Sequence, residues 1–255
     1  MIKIAPLTLA NSILARYEEH LGNKEQTYSA NKDERQRQLM QPHFLLSNNA
    51  YHYGKYVPKI LSYLEHFSKQ ETPLSSDENR CAFVVGNFYL LNLIDKIPYN
   101  TFLMCDDDPL VCEFLKAMQS KIIELSEINA PFAVKRERII EFVKHWENYQ
   151  PDLMQSLFDE QTSFRDFYFL SSEKRFSEIA KKLKTVEFVS ININLQDLRQ
   201  IKALREALQD TNSKIGLFYL TNLGEFCDPS KLSVNLDQLP QTANPYIFAI
   251  NNASK

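Results

Sequence analysis

Two short stretches hold the residues best suited to chemistry. Ala82-Phe-Val-Val-Gly86-Asn87 is an apolar run that ends on a glycine and an amide. Gly86 frees the backbone of the following turn, so that N–H groups there can approach the charged end of a ligand, with Asn87 beside them. A glycine in that place also serves an ordinary strand-to-helix turn. About twenty residues on, Thr101-Phe-Leu-Met-Cys105-Asp106-Asp107-Asp108-Pro109 is a second apolar run closed by three acids. Asp108 before Pro109 has the form of a helix cap and first helical residue, worth about 1 kcal/mol. Capping does not account for Asp106, which ends the apolar run. Open α/β sheets bind ligands at that end of their strands. A carboxylate there accepts hydrogen bonds from ribose hydroxyls, and Asp107 is the second candidate for that contact.

Other residues are open to two readings. Asn192 and Asn194 close a third apolar run, with Asp197 after them. They serve either turn and cap chemistry or the edge of a purine. Asn222, in Tyr219-Leu-Thr-Asn222-Leu-Gly224, is a turn residue or a polar group facing the reactive end of a ligand. Tyr51, His52, Tyr53 and Tyr56 either pack among N-terminal helices or cover the sheet edge. Cys105 is a poor nucleophile, because neighbouring carboxylates oppose its thiolate. It reads as a buried strand cysteine. The five histidines show no HExxH or other ligand spacing, so no metal site is expected.

The elements that must position these residues alternate in type. Apolar runs predict strands at 82–85, 101–105, 186–193, 214–220 and 246–250. Helical periodicity appears at 109–125, 134–149, 153–158, 176–183 and 198–208. Strands separated by helices predict an α/β fold with a mostly parallel, Rossmann-like sheet flanked by helices. Helices are also expected at 11–21, stopping at Gly22, and at 57–67, with Pro58 in its first turn. Residues 71–79 have linker composition. The expected organisation is an N-terminal helical extension over 1–75 and a core over 76–255. A helical insertion occupies 126–182, between strands two and three.

Composition excludes several classes. A hydrophobic fraction of 44% and a charged fraction of 24% fit an ordinary soluble fold. A net charge of −3 argues against general nucleic-acid binding, which needs a basic excess. No apolar run approaches the roughly 20 residues of a membrane span. The N-terminal stretch is short and broken by Pro6, which argues against a signal peptide. Cys81, Cys105, Cys112 and Cys227 form no CxxC pair and read as reduced thiols, so a cytoplasmic or other reducing compartment is expected. Only five glycines are present, with neither GxGxxG nor GxxxxGK[ST], which argues against NAD, FAD and P-loop nucleotides.

Taken in order, these elements resemble the class I S-adenosylmethionine-dependent methyltransferases. Phe83-Val-Val-Gly86-Asn87 stands where that family has its first strand and glycine loop. Asp106-Asp-Asp-Pro109 is similar to its acid-x-acid-Pro element, whose first acid binds ribose. Ile191-Asn192 stands where an acid or amide lies beside the adenine. Phe218-Tyr-Leu-Thr-Asn222 resembles the fourth strand, which ends near the transferred methyl. A similar Phe-Tyr-x-Ser-Asn run occurs in a little-characterised group of bacterial methyltransferase-like proteins. The resemblance covers 80–250. It implies S-adenosylmethionine as cofactor, with Gly86 and Asn87 at its methionine end, Asp106 and Asp107 at the ribose, Asn192 at the adenine and Asn222 near the reacting group. No Asn-Pro-Pro-Tyr signature is present, so the acceptor, small molecule or protein, is not indicated. The bulky Phe88 and Tyr89 after Gly86 motivate a second expectation. In it the chain keeps the fold, lacks the cofactor and binds a protein partner, as a bacterial effector secreted into a host cytosol would.

Overall fold

The computed structural model describes residues 8–22, 62, 79–85, 90–106, 109–146, 168–221 and 228–250. Helix α1 (Leu9–Leu21) is followed by strand β1 (Asn79–Val84), the single-turn helix α2 (Leu90–Leu93) and a 3-10 turn (Ile94–Lys96). Among the described residues, strand β2 (Thr101–Asp106) precedes the helices α3 (Pro109–Glu127), α4 (Phe132–Trp146) and α5 (Glu173–Leu183). Then come β3 (Glu187–Asn192), α6 (Leu198–Asp210), β4 (Ser213–Thr221), α7 (Pro229–Leu236) and β5 (Gln241–Ile250). The fold is α/β, as expected from the alternation.

All five strands are parallel, in the order β3-β2-β1-β4-β5. This is a doubly wound, Rossmann-like sheet. The chain builds outward from β1 through β2 to β3, then returns to the other side of β1 to lay down β4 and β5. The reversal lies between β1 and β4, and such folds place ligands outside the carboxyl ends of the strands at that point.

Both faces of the sheet are covered, which is why its strands read as unbroken apolar runs. Side chains alternate across a strand. Ala82, Val84, Phe102 and Met104 therefore join α3, α4 and α5 in one core. Cys81, Phe83, Leu103 and Cys105 join α1, α6 and α7 in the other. Helix α1 is a layer of that second core: Ala10, Ile13, Tyr17 and Leu21 are all buried. It starts on a Thr8 cap, with Asn11 N–H donating to Thr8 Oγ1 at 3.3 Å, and ends at Gly22, whose φ of 75° favours glycine.

Strand β4 changes face at Gly216. Ile215 packs in the α1–α6–α7 core, whereas Leu217 packs in the opposite one. The register against β1 slips at the same place, where Cys81 pairs with Ile215 but Ala82 with Leu217. Gly216 is the extra residue of a β-bulge. The Tyr99 ring lies against it, so closely that a Cβ at 216 would collide with the phenol.

Several boundaries differ from the sequence expectations. Strand β1 begins at Asn79 rather than 82, because the polar Asn79 and Arg80 pair with Ser213 and Lys214. Strand β5 begins at Gln241 rather than 246. Pro245 hides that start, and an edge strand tolerates proline. Helix α7 was not expected, yet it carries a clear signal: Asp228 caps it and Pro229 opens it. Of the helix expected at 57–67 only Ser62 is described, and it is helical; the helix expected at 153–158 and the aromatic group at 51–56 lie outside the described residues. Among the described residues, no helix is long and apolar enough to cross a membrane.

The bulge makes a measurable demand. Gly216→Ala is expected to cost about 1–3 kcal/mol in urea unfolding. Tyr99→Leu in that background should recover part of the loss, giving a favourable coupling in the double-mutant cycle.

Candidate functional site

The carboxyl ends of all five parallel strands lie along one edge of the sheet, in the order β3, β2, β1, β4 and β5. Strand β2 is buried from Thr101 to Cys105 and reaches partial exposure only at Asp106. Strand β3, at the sheet edge, is partly exposed at Glu187, Ser190 and Asn192, with Ile191 buried. Asp106 and Asn192 are register partners. By the alternation of the pleat both belong to the face that carries Phe102 and Met104. A carboxylate and an amide thus stand side by side at the carboxyl ends of two paired strands. The pairing continues past the strands, with Ile193 N–H donating to the Asp106 main-chain oxygen at 3.0 Å.

The turn after β3 is tied down by side chains. Gln200 Oε1 accepts from Asn194 N–H at 2.7 Å, and Asn194 Oδ1 accepts from Gln196 N–H at 2.9 Å. Asn235 of α7, itself buried, donates to the Leu195 carbonyl at 2.7 Å. Asp197 accepts from Arg199 N–H at 2.9 Å and caps α6. For Asn194 and Asp197 the turn and cap reading is therefore the one with a visible partner. From below, the Tyr17 phenol donates to the Asn192 carbonyl at 3.1 Å.

The remaining expected residues separate cleanly. Gly86, Asn87, Asp107 and Asn222 lie outside the described residues, as does the Asp108 cap. Gly86 and Asn222 follow Val85 and Thr221 in sequence, and Val85 and the end of β4 lie at the point of chain reversal. There Val85 N–H donates to the Tyr219 carbonyl at 3.0 Å. Cys105 is fully buried on the α1–α6–α7 side, as a strand cysteine would be. Burial pushes the Cys81 thiol up to about 12. Among the described residues, no group of three or more His, Cys, Asp or Glu is arranged to hold a metal ion.

Two residues were not singled out from sequence. Tyr17 is one. Ser190 is the other: it shares the face of Asp106 and Asn192, and its Oγ is buried with no hydrogen-bond partner. A lone serine inside a strand carries no sequence signal. An unpaired buried hydroxyl costs about 1–3 kcal/mol, which sets it apart from its neighbours.

Helix α2, which follows the 86–89 segment, is fixed by a buried ion pair. Arg175 grips Asp95 with two bonds of 2.7 and 2.9 Å and donates to the Asn92 carbonyl at 2.6 Å. The two side chains are 9% and 13% exposed. Asn92 Oδ1 in turn accepts from Phe169 N–H at 2.9 Å. Burial opposes ionisation of Asp95, but hydrogen bonds and charge from Arg175, with Lys96, outweigh it. The carboxyl is held below its ordinary range.

Compared with known proteins, the chain matches no family model, no curated protein and no solved structure.

The Arg175–Asp95 pair has a pH signature. A carboxyl depressed in the folded state adds stability above its unfolded pKa and loses it as pH falls through the folded value. Arg175→Met is expected to cost about 3–5 kcal/mol at neutral pH, because Asp95 is left buried without its partner. The difference from wild type should shrink below about pH 4, read by urea unfolding across pH.

Proposed function

We propose that this protein binds S-adenosylmethionine along the carboxyl edge of its sheet and acts as a methyltransferase-like enzyme. The observation that carries the reading is the in-register pair of Asp106 and Asn192 at the carboxyl ends of two parallel strands, where the buried run of β2 gives way to partial exposure. The sheet order supports it, since β2 and β3 lie on the side where a doubly wound fold holds the nucleoside half of its ligand. The donor set suits that ligand. An ionised carboxylate accepts from both hydroxyls of a ribose, and a neighbouring amide both donates to and accepts from an adenine edge. Neighbouring strands are roughly 4.8 Å apart, so β3 to β4 spans roughly 14 Å, enough for an elongated nucleoside ligand.

When bound, S-adenosylmethionine supplies a methyl group activated by its sulfonium. The chain's own part is to orient the nucleoside through Asp106 and Asn192 and to hold an acceptor in line with the methyl, away from water. An acceptor already nucleophilic needs no general base.

A second reading has the same fold binding a protein partner without cofactor. It draws on Phe88 and Tyr89 after Gly86, and on Leu198, Val234 and Ile247, which are all more than half exposed.

Calorimetry separates the two. S-adenosylmethionine or S-adenosylhomocysteine should release heat on binding, and Asp106→Ala should weaken affinity about tenfold or more. That is the loss expected for charge-assisted hydrogen bonds of about 1.5–3 kcal/mol. The melting temperature should barely move. Absence of heat with millimolar ligand and folded protein would sink the cofactor reading and leave the partner-binding one.

A further inference from the structure

The peptide that joins Asn192 to Ile193 is held from both sides. Its N–H donates to the Asp106 carbonyl at 3.0 Å, and its C=O accepts from the Tyr17 phenol at 3.1 Å. In a trans peptide these two groups point in opposite directions, so the carbonyl faces away from β2. Strand β3 is the edge of the described sheet on that side. A further strand would normally take an outward carbonyl there. Here a side chain from α1 takes it.

Tyr17 is suited to that task. It is 1% exposed and packs in the core with Leu103, Cys105 and Ile191 among its members. Burial, and after it Cys105 and Asp197, push the phenol's pKa up against the opposing Arg199, so the hydroxyl stays a donor.

We propose that Tyr17 is a positioning residue of the ligand site, acting through the 192–193 peptide, and that α1 is part of the site's scaffold. The proposal rests on the reading of Asp106 and Asn192 as ligand contacts. With the carbonyl released, the peptide plane is free to rotate about the strand axis. Rotation re-aims Asn192 and weakens the bond from Ile193 N–H to Asp106. Both contacts are disturbed by one lost hydroxyl.

The same helix supplies a control. His20, on the turn after Tyr17, reaches α6: Nε2 lies 2.8 Å from Asp210 Oδ2, and Nδ1 3.5 Å from Glu206 Oε2. His20→Ala loosens α1 without removing a bond to β3. Tyr17→Phe removes only the hydroxyl and keeps the buried ring.

Two readouts on the full chain test this. Tyr17→Phe should raise the Kd for S-adenosylhomocysteine several-fold, up to about tenfold. It should also speed amide exchange at Ile193 while leaving Val189, mid-strand, unchanged. His20→Ala should lower the melting temperature and move neither quantity. Unchanged exchange at Ile193 in Tyr17→Phe overturns the proposal, and so does an equal effect of His20→Ala on Kd and exchange. No binding by wild type removes the ligand reading instead, and exchange at Ile193 then decides separately whether Tyr17 holds this peptide.

Discussion

The pairing of β2 with β3 is the constraint on which the carboxyl edge depends. Six residue pairs run in unbroken register from Thr101 and Glu187 to Asp106 and Asn192. A slip of one residue would send Asp106 to the opposite face and replace it by Cys105 or Asp107. Two apolar cores prevent the slip, because β2 must present Phe102 and Met104 to one side and Leu103 and Cys105 to the other, while β3 presents Phe188 to the first and Val189 and Ile191 to the second. The polar pair is therefore positioned by hydrophobic burial several residues below it. No polar group at the edge has to set the register itself.

The same two-sided burial explains the one irregularity near the centre of the sheet. Strand β4 must serve the α1–α6–α7 core with Ile215 and the opposite core with Leu217. An extra residue in the strand changes the parity, and only glycine leaves room for the Tyr99 ring beside it. Glycine is scarce in this chain, and this position has a steric reason for it that involves no ligand.

Much of the fold was legible because β1, β2, β3 and β4 are apolar on both faces and separated by helical periodicity. The parts that were missed have polar or proline-bearing sequences whose role is set by a partner strand. Asn79 read as linker and Arg80 fell before the expected strand, and Gln241 to Pro245 gave no strand pattern, yet pairing with β4 brings both segments into the sheet. Helix α7 was legible and overlooked, since Asp228-Pro229 repeats the form of Asp108-Pro109. At the site, Asp106 stood out because a carboxylate ends an apolar run. Asn192, Asn194 and Asp197 looked alike in sequence. Only three-dimensional partners separate them: Asn194 turns toward Gln196 and Asp197 caps α6, whereas Asn192 is the register partner of Asp106. Tyr17 could not be read at all, because its contact joins residues 175 positions apart.

The polar groups around the β3 turn follow a division of labour. Asn194, Asp197, Gln200 and Asn235 each bond to main chain within or beside 193–199, so their role is to hold the backbone still. Tyr17 does the same for the 192–193 peptide from the far side. A loop fixed by five side chains from α1, α6, α7 and itself loses little conformational entropy when a ligand arrives. That rigidity favours a site whose contacts sit on strand ends over one that closes by loop ordering. On the proposed reading, the frame that carries the strand-end carboxylate and its amide neighbour is already assembled before a nucleoside binds.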